Sequence, residues 1–345
     1  NTVKKEINFG IVGCGVIAPN HAESIAEIEG AKLVAACDIV PEKAEAFGKK
    51  YGVDYYTDLS KMLQRDDLDA VCVTTPSGLH AEVGVQVAKA GKHVVVEKPI
   101  DVSLEHADAL ISAAKEAGVK LAVISQHRFD DAMLKLKGAI NEGKLGQLNF
   151  GGSHTKWYRS QEYYDSGDWR GTWELGGGGA IMNQSVHYVD LLQYVMGPVE
   201  EIFAYCATRD HVRIEVEDIA VASVKFRSGA IGIIEGNTTA YPGFYTRLDI
   251  YGSGGSVIME ADKIVEWKLK SEAGSEGSAR EKVEGAGSAQ IGYSSHQRQL
   301  EDFVAAIRED REPLVNGEEG RKPLEIIIAL YQSARTGKPV KLGGK

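Results

Sequence analysis

The stretch VVVEKPI, residues 94–100, sets a glutamate, a lysine and a proline directly after three β-branched residues. Such a run reads as a buried strand, and lysine is almost never buried without a partner. Lys98 therefore stands where a strand ends and a charge must be accommodated. Pro99 fixes the backbone beside it, and an X–Pro junction is the one place where a cis bond is cheap. A lysine held this way can hydrogen-bond a substrate hydroxyl and stabilise charge developing on its oxygen, while Glu97 tunes it or places a cofactor. The plainer alternative is a solvated lysine at a strand end.

A second group of candidate residues lies in WRGTWELGGGGAIMNQSVHYVDLLQYVMG, residues 169–197. Four consecutive glycines permit close backbone packing, and 180–196 then reads as one helix. Asn183 and His187 are i and i+4 on that helix, hence on one face, with Asp190 three residues beyond His187. An imidazole titrating near neutrality can take or give a hydroxyl proton. Two other readings stay open: Asp190 merely satisfies His187, or the two are metal ligands. No second pair at metal spacing accompanies them, so no metal is assigned.

The cofactor is written in GCGVIA, a G-x-G-x-x-A run formed by Gly13, Cys14, Gly15, Val16, Ile17 and Ala18. The first glycine allows a tight turn, the second lets a pyrophosphate approach the backbone, and the small last residue lets helix and sheet pack closely. The run follows a strand and opens a helix, whose amino end favours phosphate. Asp38 closes the next strand, where a carboxylate accepts ribose hydroxyls and repels a 2′-phosphate. Ile39 and Val40 follow it, with no arginine to receive such a phosphate, which favours NAD over NADP. Thr74, Thr75 and Pro76 end a further strand and His80 starts the helix after it, at the carboxyl edge where ligands bind.

Residues 154–173, HTKWYRSQEYYDSGDWRGTW, are dense in aromatic and basic side chains. Aromatic faces take sugar C–H edges and polar groups take hydroxyls, so Tyr158, Arg159, Tyr163, Trp169 and Arg170 are candidates for a carbohydrate pocket. Gln126, His127 and Arg128, at another strand end, are placed to reach a substrate or its phosphate. Tyr241 and Tyr245 are further candidates.

The elements that must position these residues fall into two halves. Residues 1–125 alternate apolar runs with helical patterns (7–13, 31–38, 69–76, 92–99 and 119–126 as strands), which predicts βαβ crossovers and a parallel sheet. After a helix-like 129–142, strand candidates at 148–159, 200–210, 218–229, 230–240, 246–260 and 261–270 lack intervening helices and predict a largely antiparallel open sheet. A last helix is expected around 295–309, and 271–290 as a surface excursion. The fold class is thus α/β: an NAD-binding Rossmann domain over 1–125, and a substrate-binding and oligomerisation α/β domain over 126–345. Part of the C-terminal segment is expected to pack back on the first domain.

A charge of −10 over 345 residues argues against general nucleic-acid binding, which needs concentrated Lys and Arg. No apolar run reaches membrane-spanning length, and no signal-peptide layout opens the chain. Cys14, Cys37, Cys72 and Cys206 show no CxxC spacing, so reduced thiols and a cytoplasmic protein are expected.

GCGVIA, EKP at 97–99 and the glycine run leading to His187, spread over nearly the whole chain, resemble the Gfo/Idh/MocA family of sugar and cyclitol oxidoreductases. The resemblance implies the two domains above, an open sheet that forms a subunit interface in a homodimer or homotetramer, and NAD(P) as cofactor. It implies Lys98 and His187 as the catalytic pair, a cis bond at Pro99, and Trp169 with Arg170 near the nicotinamide. Many relatives carry aspartate and glycine where this chain has Asn183 and Ser185. Asn183 can orient a hydroxyl but cannot act as a base, which shifts proton work onto Lys98 and His187. The runs MNQSVHYVDLLQYVMG and YRSQEYYDSGDWRGTW are similar to the branch with UDP-N-acetylglucosamine or UDP-glucuronamide-type 3-dehydrogenases. The expected activity is hydride transfer from a secondary hydroxyl, C3, of a sugar or nucleotide sugar. Inositol or aldose dehydrogenase, an NAD-assisted glycosidase and an NAD-binding sensor are the alternatives.

Overall fold

The computed structural model describes residues 6–272 and 293–343, the side chain of Tyr293 excepted; the expected excursion at 271–290 lies outside it from residue 273 onward. Two compact units emerge, Asn1–Gln126 with Ile291–Arg321, and His127–Gln290 with Lys322–Lys345.

The first unit is built on six parallel strands: β1 (Ile7–Val12), β2 (Ala31–Cys37), β3 (Asp54–Tyr56), β4 (Ala70–Val73), β5 (His93–Val96) and β6 (Leu121–Val123). Their order, β3-β2-β1-β4-β5-β6, reverses direction at β1/β4, the crevice where doubly wound sheets bind dinucleotides. Strands covered on both faces read as unbroken apolar runs, and AVCV of β4 and VVV of β5 are buried throughout. The connecting helices carry their own stop and start signals. Pro41 opens the helix Pro41–Tyr51, Ser103 caps Leu104–Ala117 by accepting the His106 N–H, and Gly52 and Gly118 end them in the left-handed conformation. The helix Tyr293–Glu309 belongs to this unit, and its Leu300, Phe303 and Val304 share one core with Phe9, Ile11 and Ile25.

The second unit holds an eight-stranded sheet: β7 (Leu148–Lys156), β8 (Val199–Ala207), β9 (Ile219–Phe226), β10 (Ile231–Asn237), β11 (Arg247–Gly252), β12 (Gly255–Glu260), β13 (Lys263–Leu269) and β14 (Val340–Lys341), in the order β13-β12-β11-β7-β10-β9-β8-β14. All pairs are antiparallel except β7 with β10. The helix Val186–Met196 packs closely on β7, where a Cβ on Gly151 would lie 2.6 Å from Met196 and 2.8 Å from Leu192. The opposite face leaves Tyr205, Val221 and Ile231 exposed.

Two elements differ from what the sequence predicts. The run 180–196 is not one α-helix: Ala180–Ser185 forms a π turn and the α-helix starts at Val186, so the regular i, i+4 register between Asn183 and His187 is broken. A further helix, Gly317–Thr336, follows the expected last one. Gly317, Gly320 and Pro323 weaken its local signal, but packing demands the glycines: a Cβ on Gly320 would lie 2.4 Å from Val123 and one on Gly317 2.7 Å from Ile111.

The same substitution should change stability in opposite directions at two sites. A Cβ on Gly232 would lie 2.2 Å from the Gly151 carbonyl oxygen across the parallel pair, so Gly232→Ala is expected to cost about 1–3 kcal/mol. Helical Gly138 has open space around it, and Gly138→Ala is expected to stabilise by up to about 1 kcal/mol. Thermal denaturation of both variants checks this, and equal signs would refute it.

Candidate active site

In the first unit the glycine loop is shaped by contact and by openness. Gly13 has φ of +92°, and a Cβ there would lie 2.8 Å from the backbone of Thr74, so only glycine fits. Gly15 has nothing within 4 Å of a built Cβ, which leaves its backbone approachable. Val16 is exposed and Ile17 precedes the helix Ala18–Ala26. Asp38 is locked in place: Oδ2 accepts the Cys14 N–H at 2.8 Å and Oδ1 the Val40 N–H at 2.9 Å. The carboxylate is therefore presented beside the glycine loop, where ribose hydroxyls would meet it. Thr74 ties the loop down by donating to the Gly13 carbonyl at 2.6 Å. Thr75 Oγ1 and Gln126 Oε1 are buried atoms without a hydrogen-bond partner among the described residues, an arrangement that fits polar groups of a bound molecule. These features fit a dinucleotide.

Lys98 follows β5 and is half-buried, with a cis bond to Pro99. Beneath it Glu97 is buried. Its Oε2 accepts the Lys98 backbone N–H at 3.1 Å, and its Oε1 lies 2.8 Å from His21 Nε2 and 3.7 Å from His296 Nε2. Burial favours the neutral acid, but the hydrogen bond from His21 and the neighbouring His296 ring outweigh it and hold Glu97 well below the usual carboxylate range. For His21, burial opposes the charge, while the Cys72 sulfur and the Glu97 carboxylate raise its pKa to about 10. The three groups could geometrically bracket an ion, but the 2.8 Å contact is a hydrogen bond that an ion would have to displace. His80 is a tie as much as a ligand-facing group: its ring nitrogens meet the carbonyls of Pro99 at 2.7 Å and Thr75 at 2.9 Å, joining the loop after β4 to the loop after β5. Asp101 adds to this by accepting the N–H groups of Ala81, Val102 and Ser103.

In the second unit the glycine run is organised by a residue the sequence did not single out. Glu217 is buried and accepts from Gly179 N, Ile181 N and Tyr331 Oη at 3.1, 2.9 and 2.8 Å. Burial pushes its carboxyl up to about 7 against the pull of those donors. A Cβ on Gly179 would lie 1.8 Å from the Glu217 carbonyl oxygen, which explains that glycine. The π turn follows, carrying Asn183, whose Nδ2 donates to the Gly178 carbonyl at 3.3 Å. His187, half-buried, stacks edge to face on His127 with centroids 5.0 Å apart. The Asp190 carboxylate takes Arg128 Nε at 2.8 Å and Nη2 at 2.6 Å. Arg128 is correspondingly fully buried, with Tyr194 under its guanidinium.

Arg159, Tyr163, Trp169 and Arg170 gather into one cluster. Tyr163 lies between the guanidinium groups of Arg159 and Arg170, at 5.1 and 4.9 Å, and Trp157 and Trp169 back them at 4.9 Å each. Gln184 bridges Arg159 Nη2 and the Tyr163 hydroxyl. Neither arginine has a carboxylate partner among the described residues, and the Nε atom of each is buried without a hydrogen bond. Tyr158 packs separately against exposed Tyr241 at 5.2 Å. The segment is braced by the loop after β8, where Asp218 accepts three backbone N–H groups and His211 Nε2 donates to the Arg159 carbonyl. The braces His21, His296, Glu217 and Asp218 lie far along the chain from what they hold, so no local spacing marks them.

The Glu97 cluster has a thermodynamic signature. Glu97→Gln leaves the histidines facing a neutral amide and is expected to cost about 3–5 kcal/mol. The raised His21 contributes stability that is fully present below its unfolded value near 6.5 and is lost as pH rises through about 10. The depressed Glu97 contributes above its unfolded value near 4.5 and is lost as pH falls through its lower folded one. Unfolding midpoints measured from neutral to alkaline pH should fall for the parent chain, and the histidine contribution to that slope should shrink in Glu97→Gln. Parallel curves would refute the assignment.

Comparison with known proteins agrees with this geometry. Residues 7–125 match the model of the oxidoreductase family with an NAD-binding Rossmann fold, and residues 133–258 match the GFO/IDH/MocA C-terminal domain. The WlbA dehydrogenase from Bordetella pertussis, solved in complex with NADH and UDP-GlcNAcA, is 37% identical, with a TM-score of 0.88 covering 99% of this chain and 100% of that one. Myo-inositol 2-dehydrogenase of Thermotoga maritima is 29% identical over 97% of this chain and 98% of its own length. NAD-dependent scyllo-inositol 2-dehydrogenase of Bacillus subtilis is 26% identical over 99% and 98%. With the glycine loop, the Asp38 carboxylate and Lys98 in place on a reversed parallel sheet, the chain belongs to the Gfo/Idh/MocA family and is an NAD-dependent oxidoreductase.

Proposed function

We propose that the enzyme oxidises a secondary hydroxyl, at C3, of a nucleotide sugar. The observation that carries this reading is the Arg159–Tyr163–Arg170 cluster, two guanidinium groups on aromatic faces with no carboxylate among the described residues to neutralise them. Such groups favour an anionic ligand, a diphosphate or a sugar carboxylate, over a neutral cyclitol or aldose. The likeness to a dehydrogenase solved with UDP-GlcNAcA supports it; likeness to inositol dehydrogenases keeps the neutral polyol as the alternative.

A dinucleotide held at the glycine loop and Asp38 would supply the hydride acceptor. His187 takes the hydroxyl proton as the C–H hydride leaves carbon and the carbonyl forms. The Lys98 ammonium stabilises the oxygen while it carries charge, an interaction stronger in the transition state than in the ground state. Asn183 orients a hydroxyl, and Tyr158 and Tyr241 offer aromatic surface to the sugar. We assign the substrate and assembly roles to the second unit, with its exposed Tyr205, Val221 and Ile231 forming the contact of a homodimer or homotetramer.

Lys98→Ala and His187→Ala are each expected to lower turnover by about 10²–10⁴-fold with little change in NAD affinity. NADH formation should be followed across UDP-N-acetylhexosamines, UDP-uronic acids, glycosides, aldoses and inositols, with the products mapped by NMR. Arg159→Gln should raise KM for the UDP-sugars alone, whereas turnover confined to inositols would sink the nucleotide-sugar reading. For the assembly, light scattering at micromolar protein should give a dimer or tetramer, and Val221→Asp should shift it towards monomer; a monomeric parent chain rejects the contact.

A further inference from the structure

His127 sits in an unusual setting. It comes from the short 3₁₀ turn Gln126–Phe129, and its Nδ1 lies 2.8 Å from Asp130 Oδ2 and 3.5 Å from Asp262 Oδ1. Asp130 precedes the helix Asp131–Asn141 without capping it, which leaves its carboxylate for His127. Asp262 arrives from the two-residue turn between β12 and β13. There Ala261 and Asp262 both adopt left-handed backbone, at φ of +46° and +64°. Turns of that geometry ordinarily take Asn-Gly, so an Ala-Asp pair accepts strain in order to present that carboxylate. The Tyr188 hydroxyl donates to the same Asp262 oxygen at 2.8 Å and fixes it. Against this group lies His187, ring centroid 5.0 Å away at an interplanar angle of 86°.

Arg128, the chain neighbour of His127, and Asp190 also lie near it and are paired with each other. Asp130 and Asp262 therefore favour the charged form of His127 from two elements at once. Burial works against that charge, and the Asp130 hydrogen bond with the fields of Asp262, Asp130 and Asp190 outweighs it, moving His127 upward.

We infer that His127 is a positioning residue for His187: held as an imidazolium by Asp130 and Asp262, it packs edge to face on His187 and keeps that ring neutral and oriented to receive the hydroxyl proton. The role rests on His187 being the base proposed above. A cation at this distance disfavours a second charge on the neighbouring ring. Removing it frees His187 to protonate at higher pH.

The test reads the rings directly. Ring-nitrogen NMR of the full chain with NAD, followed across about pH 5 to about pH 9, gives the titration midpoint of each histidine, with His187→Asn identifying the His187 signal. In His127→Asn the His187 midpoint should rise by about one unit, and the acid limb of kcat/KM should move up with it. Asp130→Asn should lower the midpoint of His127 itself and raise that of His187, and covers the case in which His127→Asn does not fold. A His187 midpoint unmoved in a folded variant overturns the inference, and so does a His127 already neutral at pH 7 in the parent chain. Full turnover in His187→Asn would instead overturn the catalytic reading, while the coupling between the rings would still be read by NMR.

Discussion

The buried carboxylate of Glu97 is the constraint around which the first unit is arranged. A carboxylate taken out of water costs several kcal/mol unless charge and hydrogen bonds offset it. Here the offset comes from His21, on the helix that follows the glycine loop, and from His296, on a helix near the other end of the chain. Its second oxygen holds the backbone of Lys98. One group thus ties the cofactor loop, the strand end that carries the lysine, and the helix Tyr293–Glu309 to a common point. His80 and Asp101 repeat the device at lower charge, joining the loops after β4 and β5. Lys98 is placed by a lattice of contacts rather than by the strand alone.

The second unit solves a similar problem with a different pair. Glu217 and Asp218 are adjacent and both buried, and between them they accept five backbone N–H groups from two separate loops. One loop leads through the π turn to His187, and the other braces the segment that carries Arg159. The glycines at 178 and 179 are the steric counterpart of this arrangement, because any side chain there would collide with Tyr331 or with the Glu217 backbone.

Much of the scaffold was legible in the chain. Apolar runs spaced by amphipathic helices, the glycine loop and the strand-end position of Asp38 and Lys98 all depend on neighbours within a few residues, and local pattern reports such neighbours well. What pairs with what across long separations was not legible. Asp190 sits three residues from His187, as a helical partner would, yet its carboxylate also holds the buried Arg128 guanidinium in a bidentate pair that no local spacing announces. The π turn was hidden for a related reason. AIMNQS has no local feature against an α-helix, and the departure accompanies Glu217 accepting two N–H groups at its start. The helix Gly317–Thr336 was masked by glycines and a proline that tertiary packing requires or tolerates.

The membership of residues 293–309 in the first unit has a consequence for how the protein is made. Leu300, Phe303 and Val304 close the core that Phe9, Ile11 and Ile25 begin, and His296 completes the charge balance of Glu97. A ribosome delivers the early strands first and these helix residues only after all of the second sheet but β14 has been synthesised. Throughout that interval the nascent nucleotide-binding layer carries an uncovered apolar patch and a carboxylate with half its compensation missing. The second unit has most of its sheet available earlier, so vectorial synthesis lets the later-encoded module settle before the earlier one can finish. Chaperone demand during synthesis should therefore fall on the amino-terminal third, although that third looks, strand by strand, like the most self-sufficient part of the chain.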